Sequence, residues 1–177
     1  MENWLVEKEV LDLFAVHYKT GKKIPADLIK KIKEADKFMA GWHMLRQLAF
    51  GYLDLAYHSQ KSGKIANVVK FERMATKKTQ IMSVIPGTSK SCSFSHIFDG
   101  GYDAGYYSYH WAEVLEADAF ELFKTKGIFD AKTAESFRKN ILSRGNTEHP
   151  AVLYKKFRGR APKINALLAK KGLRYLL

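Results

Sequence analysis

The densest run of chemically useful side chains is "SFSHIFDGGYDAGYYSYHW", residues 93–111. It sets His96 ahead of the glycine pair Gly100 and Gly101, then spaces Tyr102, Tyr106 and Tyr109 at i, i+4 and i+7. A phenol is neutral near pH 7 and donates a hydrogen bond while its ring packs against apolar surface. If a helix begins near Tyr102, this spacing puts all three rings on one face at its N-terminal end, where the helix dipole favours negative charge. Such a face can hold a peptide carbonyl, a carboxylate or a developing oxyanion. Gly100, Gly101 and Gly105 permit close backbone approach and hinge motion. The same spacing also suits tyrosines packed in a core with their hydroxyls at its edge. Tyr107 and Trp111 fall on a different face, which is read as core.

Other chemistries find no support in the residue spacing. The histidines are residues 17, 43, 58, 96, 110 and 149, so none lie three or four apart, and no HExxH motif is present. With Cys92 the single cysteine, no thiolate cluster and no internal disulfide can form. A metal site built wholly from this chain is therefore not expected. There is no G-x-S-x-G motif, and Ser95 beside His96 is not a triad signature. The run "GGYDAG" lacks the Lys-Ser/Thr of a phosphate loop and does not follow a strand.

The elements that must position the tyrosines read as helices almost throughout, an all-α fold in one unit spanning residues 1–177. Leu5, Val6, Val10, Leu13, Phe14 and His17 form a stripe over residues 2–17. Pro25 suits the first turn of a second helix, reaching about Phe38. A third, from about Gly41 to His58, carries apolar residues around most of its circumference and is expected to be deeply buried. A short helix is expected over "VVKFERMATKK". Residues 79–103, with Pro86 and glycines at 87, 100 and 101, lack helical period. Irregular segments of that length are usually functional or disordered. A long helix is expected at about 104–125, another after Asp130 as N-cap, and two short ones over "PAVLYKKFRG" and "KINALLAKKGL".

Composition limits the function class. The chain has 177 residues, 46% hydrophobic and 13% aromatic, enough for a substantial core. No apolar run is long enough to span a bilayer, and "MENWLVEKEVLDLF" is amphipathic and acidic rather than a signal peptide. A cytoplasmic location is the expectation. The net charge of +12 is spread over every segment, mostly at polar helix positions. It is read as solvated helix faces, not as a membrane or nucleic-acid surface, although a basic nucleic-acid-binding helical domain stays open as an alternative.

The segment "FSHIFDGGYDAGYYSYHWAEVLEADAF" resembles the late signature of the thimet oligopeptidase and peptidyl-dipeptidase family of zinc metallopeptidases. The resemblance extends through "GIFD", "FRKNILSRGNTEHPAVLYKKFRGRAP" and "ALLAKKGL", and back through "HYKTGKKIPADLI" to "MENW". In "ILSRGN" and "FRGRAPKI" it looks nearest the bacterial peptidyl-dipeptidase branch. The resemblance implies a C-terminal portion of a mostly helical, zincin-type catalytic domain, beginning just after the last zinc ligand. Glu2 does not match that ligand. Zinc and the general base, both from the HExxH segment, are then supplied by the missing upstream part, and the isolated chain is expected to be inactive and to bind no zinc of its own. The implied substrates are short peptides. His96 matches the family histidine that hydrogen-bonds the substrate backbone, Gly100 and Gly101 the flexible loop, and Tyr102, Tyr106 and Tyr109 the substrate-facing tyrosines. Tyr109 and His96 are the implied catalytic donors. Asp99, where small residues are common, and His110, in place of a usual Leu, depart from the pattern. A binding or scaffolding module that pairs with a separate peptidase half is the competing reading. Such a portion is also expected to leave Trp4, Leu5 and Phe50 as an uncovered apolar patch.

Overall fold

Helices dominate the described residues, 2–61 and 63–173, of the computed structural model of the chain. Among them no strand forms beyond a single antiparallel bridge between Val16 and Lys23, so the fold is all-α as expected. The helices are α1 (Lys8–Phe14), α2 (Ala26–Ala35), α3 (Ala40–His58), α4 (Val68–Thr76), α5 (Ser108–Lys126), α6 (Ala131–Phe137), α7 (Pro150–Arg158) and α8 (Asn165–Lys170).

Local chemistry accounts for several ends. Asn67 caps α4 by accepting the Lys70 N–H at 2.9 Å, and Asp130 caps α6 by accepting the Thr133 N–H at 2.7 Å. Pro150 sits in the first turn of α7, and Gly159 closes it in the left-handed region at φ 79°. Elsewhere packing overrides the pattern. The single helix expected over residues 2–17 is broken at Glu7, which is extended, so a 3-10 turn, Glu2–Val6, precedes α1. That turn seats the Trp4 indole edge-on against Phe120 and Phe123, with its N–H donating to the Ile128 carbonyl at 3.2 Å.

The chain divides into two compact units, Met1–Phe38 with Val114–Leu177, and Met39–Glu113. In the first, Phe120, Phe123 and Phe157 form a core extended by Trp4, Phe137 and Ile141. A buried carboxylate, Asp118, ties the end of α7 to α5. It receives the Tyr154 hydroxyl at 2.7 Å and both terminal nitrogens of Arg160 at 3.0 and 2.6 Å. In the second unit, Leu53, Phe94 and Ile97 form a core extended by Phe50, Tyr57 and Tyr106. The expected patch of Trp4, Leu5 and Phe50 does not form, because the first and last are packed into these two cores; Leu5 alone is exposed. The third helix is also less buried than its composition suggests. Leu48, Tyr52 and Leu55 of α3 face outward, while Ala49, Leu53 and Asp54 are buried.

Candidate functional site

The site starts from a charge in the middle of an apolar helix. Asp54 of α3 is fully buried, and its carboxylate accepts the backbone N–H groups of Ala104 and Tyr106, each at 2.9 Å. His58, one turn along, places Nδ1 2.8 Å from the same carboxylate. A buried carboxylate is tolerated when donors satisfy it, and here the donors come from a loop fifty residues away.

This clamp decides the geometry of the tyrosines. With the Ala104 and Tyr106 N–H groups both turned toward Asp54, residues 103–107 form turns, and α5 begins only at Ser108. Ala104 takes the left-handed backbone at φ 55°, and Gly101 does so at φ 75°. The premise of a helix starting near Tyr102 therefore fails. Tyr107 and Trp111, read as core, are instead exposed, at 57% and 52%.

The turns gather the three phenols all the same. Tyr102 and Tyr109 stack at 5.2 Å, and the Tyr109 hydroxyl donates to the Tyr102 hydroxyl at 2.9 Å. Tyr106 lies 5.0 Å from Tyr109 and 5.9 Å from Tyr102, ring centre to ring centre. The exposed His96 ring stands 6.3 Å from both Tyr102 and Tyr106. Tyr106 is the anchor of the group, edge-on to Phe94 at 4.9 Å and to Phe50 at 5.8 Å. The hydrogen bond to Tyr102 holds the Tyr109 phenol above its ordinary pKa, and burial does the same for Tyr106 against the opposing charge of Arg46. Both phenols are donors at neutral pH.

Gly100 is required by close approach. The Tyr102 N–H donates back to the His96 carbonyl at 3.2 Å, and a Cβ on Gly100 would sit 2.7 Å from the His96 Cα. Gly101 supplies the positive φ and meets nothing with its open side. His96, Gly100, Gly101, Tyr102, Tyr106 and Tyr109 are thus brought into one cluster. Of the two departures from the family pattern, Asp99 is exposed, and His110 pairs with Glu113 at 2.8 Å.

The spacing argument missed Asp54 and Glu72. Glu72 of α4 is buried and takes four donors from the irregular segment: the Ser89 hydroxyl, the Lys90 N–H, and the Ser91 N–H and hydroxyl, at 2.8–3.0 Å. Burial alone would raise the carboxyl's pKa, but the four bonds, led by the Lys90 and Ser91 N–H groups, together outweigh it and keep the carboxyl below its usual value. The available signal was an aspartate inside "LAFGYLDLAYH", where a charge is out of place unless paired.

Among the described residues no three His, Cys, Asp or Glu side chains come together as metal ligands. A catalytic zinc needs three protein ligands with an open position, so these residues do not fit that ion.

Residues 1–173 match peptidase family M3. The chain is 44% identical to Oligopeptidase A of Escherichia coli over 98% of its length and 26% of that protein's. It is 42% identical to the probable cytosolic oligopeptidase A of Arabidopsis thaliana, covering 98% of this chain and 25% of that one. Identity to Dipeptidyl carboxypeptidase of Escherichia coli is 36%, over 97% and 26% respectively. The chain spans about a quarter of the length of these relatives. On the match of nearly its whole length, the chain belongs to peptidase family M3.

Proposed function

We propose that this chain is the substrate-gripping portion of an oligopeptidase- or peptidyl-dipeptidase-type zinc metallopeptidase that hydrolyses short peptides. The observation that carries the reading is the Tyr102–Tyr109 phenol pair beside His96, with Tyr109 exposed and Tyr102 half-buried. Tyr109 donates to Tyr102, whose own O–H has no acceptor among the described residues. With a peptide in place, the Tyr109 O–H turns from Tyr102 to a peptide carbonyl, His96 donates to the same carbonyl, and the free Tyr102 O–H is left for the neighbouring backbone. As the carbonyl oxygen gains charge during attack, the same donors bind it more strongly than they bound the ground state. Tyr109 and His96 are the donors assigned to that oxygen, Tyr102 and Tyr106 line the peptide, and Gly100 with Gly101 lets the backbone come close. Asp54 keeps the turn in the shape this needs.

Zinc and the general base come, on this reading, from the HExxH-bearing part of the enzyme, which is the chain's partner along with the peptide. The chain alone is inactive, and it engages neither nucleic acid nor membrane. Among its described residues no helix is long and apolar enough to cross a membrane. The activity is placed in the cytoplasm, in keeping with the name of the Arabidopsis cytosolic relative.

A chimaera tests the reading. The matching quarter of Escherichia coli Oligopeptidase A is replaced by this chain, and hydrolysis of a short peptide is followed. Turnover is the expected result. A folded, metal-loaded chimaera that binds peptide without cleaving it supports the scaffolding alternative instead.

A further inference from the structure

In the first unit a cavity of about 380 Å³ opens among the Glu2–Val6 turn, α2, α5 and α8, and the reading above does not use it. That volume lies within the range of small-molecule sites, about 300–1,000 Å³. Its floor is apolar, built from Val6, Ile32, Ala117, Phe120 and Ala166. Ala117 and Phe120 are buried, and the Trp4 indole packs edge-on to Phe120 at 4.6 Å. Asn3 stands in the wall with only 6% of its surface exposed. Its amide nitrogen donates to the Glu116 carboxylate, and among the described residues no donor reaches its amide oxygen. A buried carbonyl without a donor is costly, so the oxygen marks a place for one.

The rim carries charges of both signs, and several are already matched. Lys33 pairs with Glu7 at 3.1 Å, Lys170 with Glu116 at 3.2 Å, and Glu121 with Arg158 at 2.8 Å. Lys37, Lys124 and Asp36 also line the cavity, and among the described residues none of the three forms an ion pair. The Lys37 stem lies against Gly172, where a Cβ would come within 3.0 Å of its Cδ. The cavity thus joins an apolar floor to two unpaired ammoniums, an unpaired carboxylate and a buried carbonyl that lacks a donor. A fatty acid leaves the carbonyl and Asp36 unanswered, and a simple amine leaves both lysines unanswered. A zwitterion with an apolar side chain answers all of them.

We propose that this cavity binds a free apolar amino acid. The side chain lies on the floor, the α-ammonium donates to the Asn3 carbonyl with Asp36 balancing its charge, and the α-carboxylate is met by Lys37 and Lys124. The proposal goes beyond the peptide-gripping reading and does not depend on it, since no residue of the tyrosine cluster lines the cavity.

The test titrates free leucine into the full 177-residue chain and follows the methyls of Ile32, Ala117 and Ala166 and the Trp4 indole N–H by NMR. Saturable shifts at these groups are expected, with Tyr102 and Tyr109 unmoved. Isocaproate, which lacks the ammonium, and isoamylamine, which lacks the carboxylate, are each expected to bind about tenfold more weakly than leucine. The double variant Lys37→Gln, Lys124→Gln changes two exposed side chains and is expected to weaken leucine about tenfold without weakening isoamylamine. Ala166→Leu is expected to fill the cavity and abolish leucine binding; the ligand series and the lysine variant decide the matter even where that substitution unfolds the chain. No saturable shift at the cavity overturns the proposal, as do shifts confined to Tyr102 and Tyr109. Isocaproate bound as tightly as leucine assigns the cavity to an amphipathic carboxylate, and isoamylamine bound as tightly assigns it to an amine; either result overturns the amino-acid site. Leucine affinity unchanged in the lysine variant overturns the assignment to these residues.

Discussion

A phenol that donates to a second phenol gives up its proton less readily than one facing water. At the residue scale this makes the Tyr102–Tyr109 pair measurable without any substrate. The ionisation of Tyr109 is expected above the ordinary tyrosine value of 10.0, and Tyr102→Phe is expected to bring it back down, followed by ultraviolet or NMR titration. An unmoved Tyr109 in that variant means the hydroxyls are not bonded in solution. Gly100→Ala tests the close approach beneath the pair. Its Cβ meets His96 Cα at 2.7 Å and the His96 carbonyl oxygen at 2.8 Å, so the backbone has to move. A loss of about 1–3 kcal/mol is expected in chemical denaturation, with altered Tyr102 and Tyr109 shifts. A variant as stable as the parent, with unchanged shifts, contradicts this geometry.

At the element scale, helices lend buried carboxylates to other segments: Asp54 to backbone N–H groups of the tyrosine turn, Glu72 to N–H and hydroxyl groups of residues 89–91, and Asp118 to the Tyr154 and Arg160 side chains at the end of α7. Asp54→Asn leaves one acceptor oxygen where two N–H groups wait. It is expected to cost about 1–3 kcal/mol and to separate Tyr102 from Tyr109, read by denaturation and by tyrosine shifts. Asp118 adds a pH dependence. Burial alone would raise its pKa, but hydrogen bonds from Arg160 and Tyr154 and the charge of Arg158 outweigh that and hold it below the usual carboxylate range. The folded pKa lies below the unfolded value of about 3.9, so the stabilisation is full above that value and is lost as the pH falls through the folded one. Acid denaturation should therefore steepen below about pH 4, and Asp118→Asn should flatten that limb while lowering stability at neutral pH by on the order of 3 kcal/mol. An unchanged acid limb in the variant means another carboxyl governs it. These clamps also mark where the sequence stopped being legible. Periodicity and capping residues located most of the helices and the cap at Asp130, because those signals are local. The start of α5 was misplaced, and Tyr107 and Trp111 were assigned to the core, because Asp54 acts from fifty residues away and no local pattern records its pull. The membership of the tyrosine cluster survived for a different reason. Turns and helix alike bring residues four and seven apart close together, so the spacing held even though the conformation inferred from it did not.

For the whole molecule, membership of peptidase family M3 rests on a match across residues 1–173, while the span is about a quarter of each relative. On the function proposed above, the chain's contribution lies in donors that meet a peptide, with the metal and base held elsewhere. Steady-state kinetics of the chimaera carrying Tyr109→Phe bear on that claim most directly. The account predicts that kcat falls about 10²-fold while KM stays within about threefold, because the phenol is used where charge develops. An unchanged kcat with a raised KM would contradict it, since Tyr109 would then hold the ground state alone.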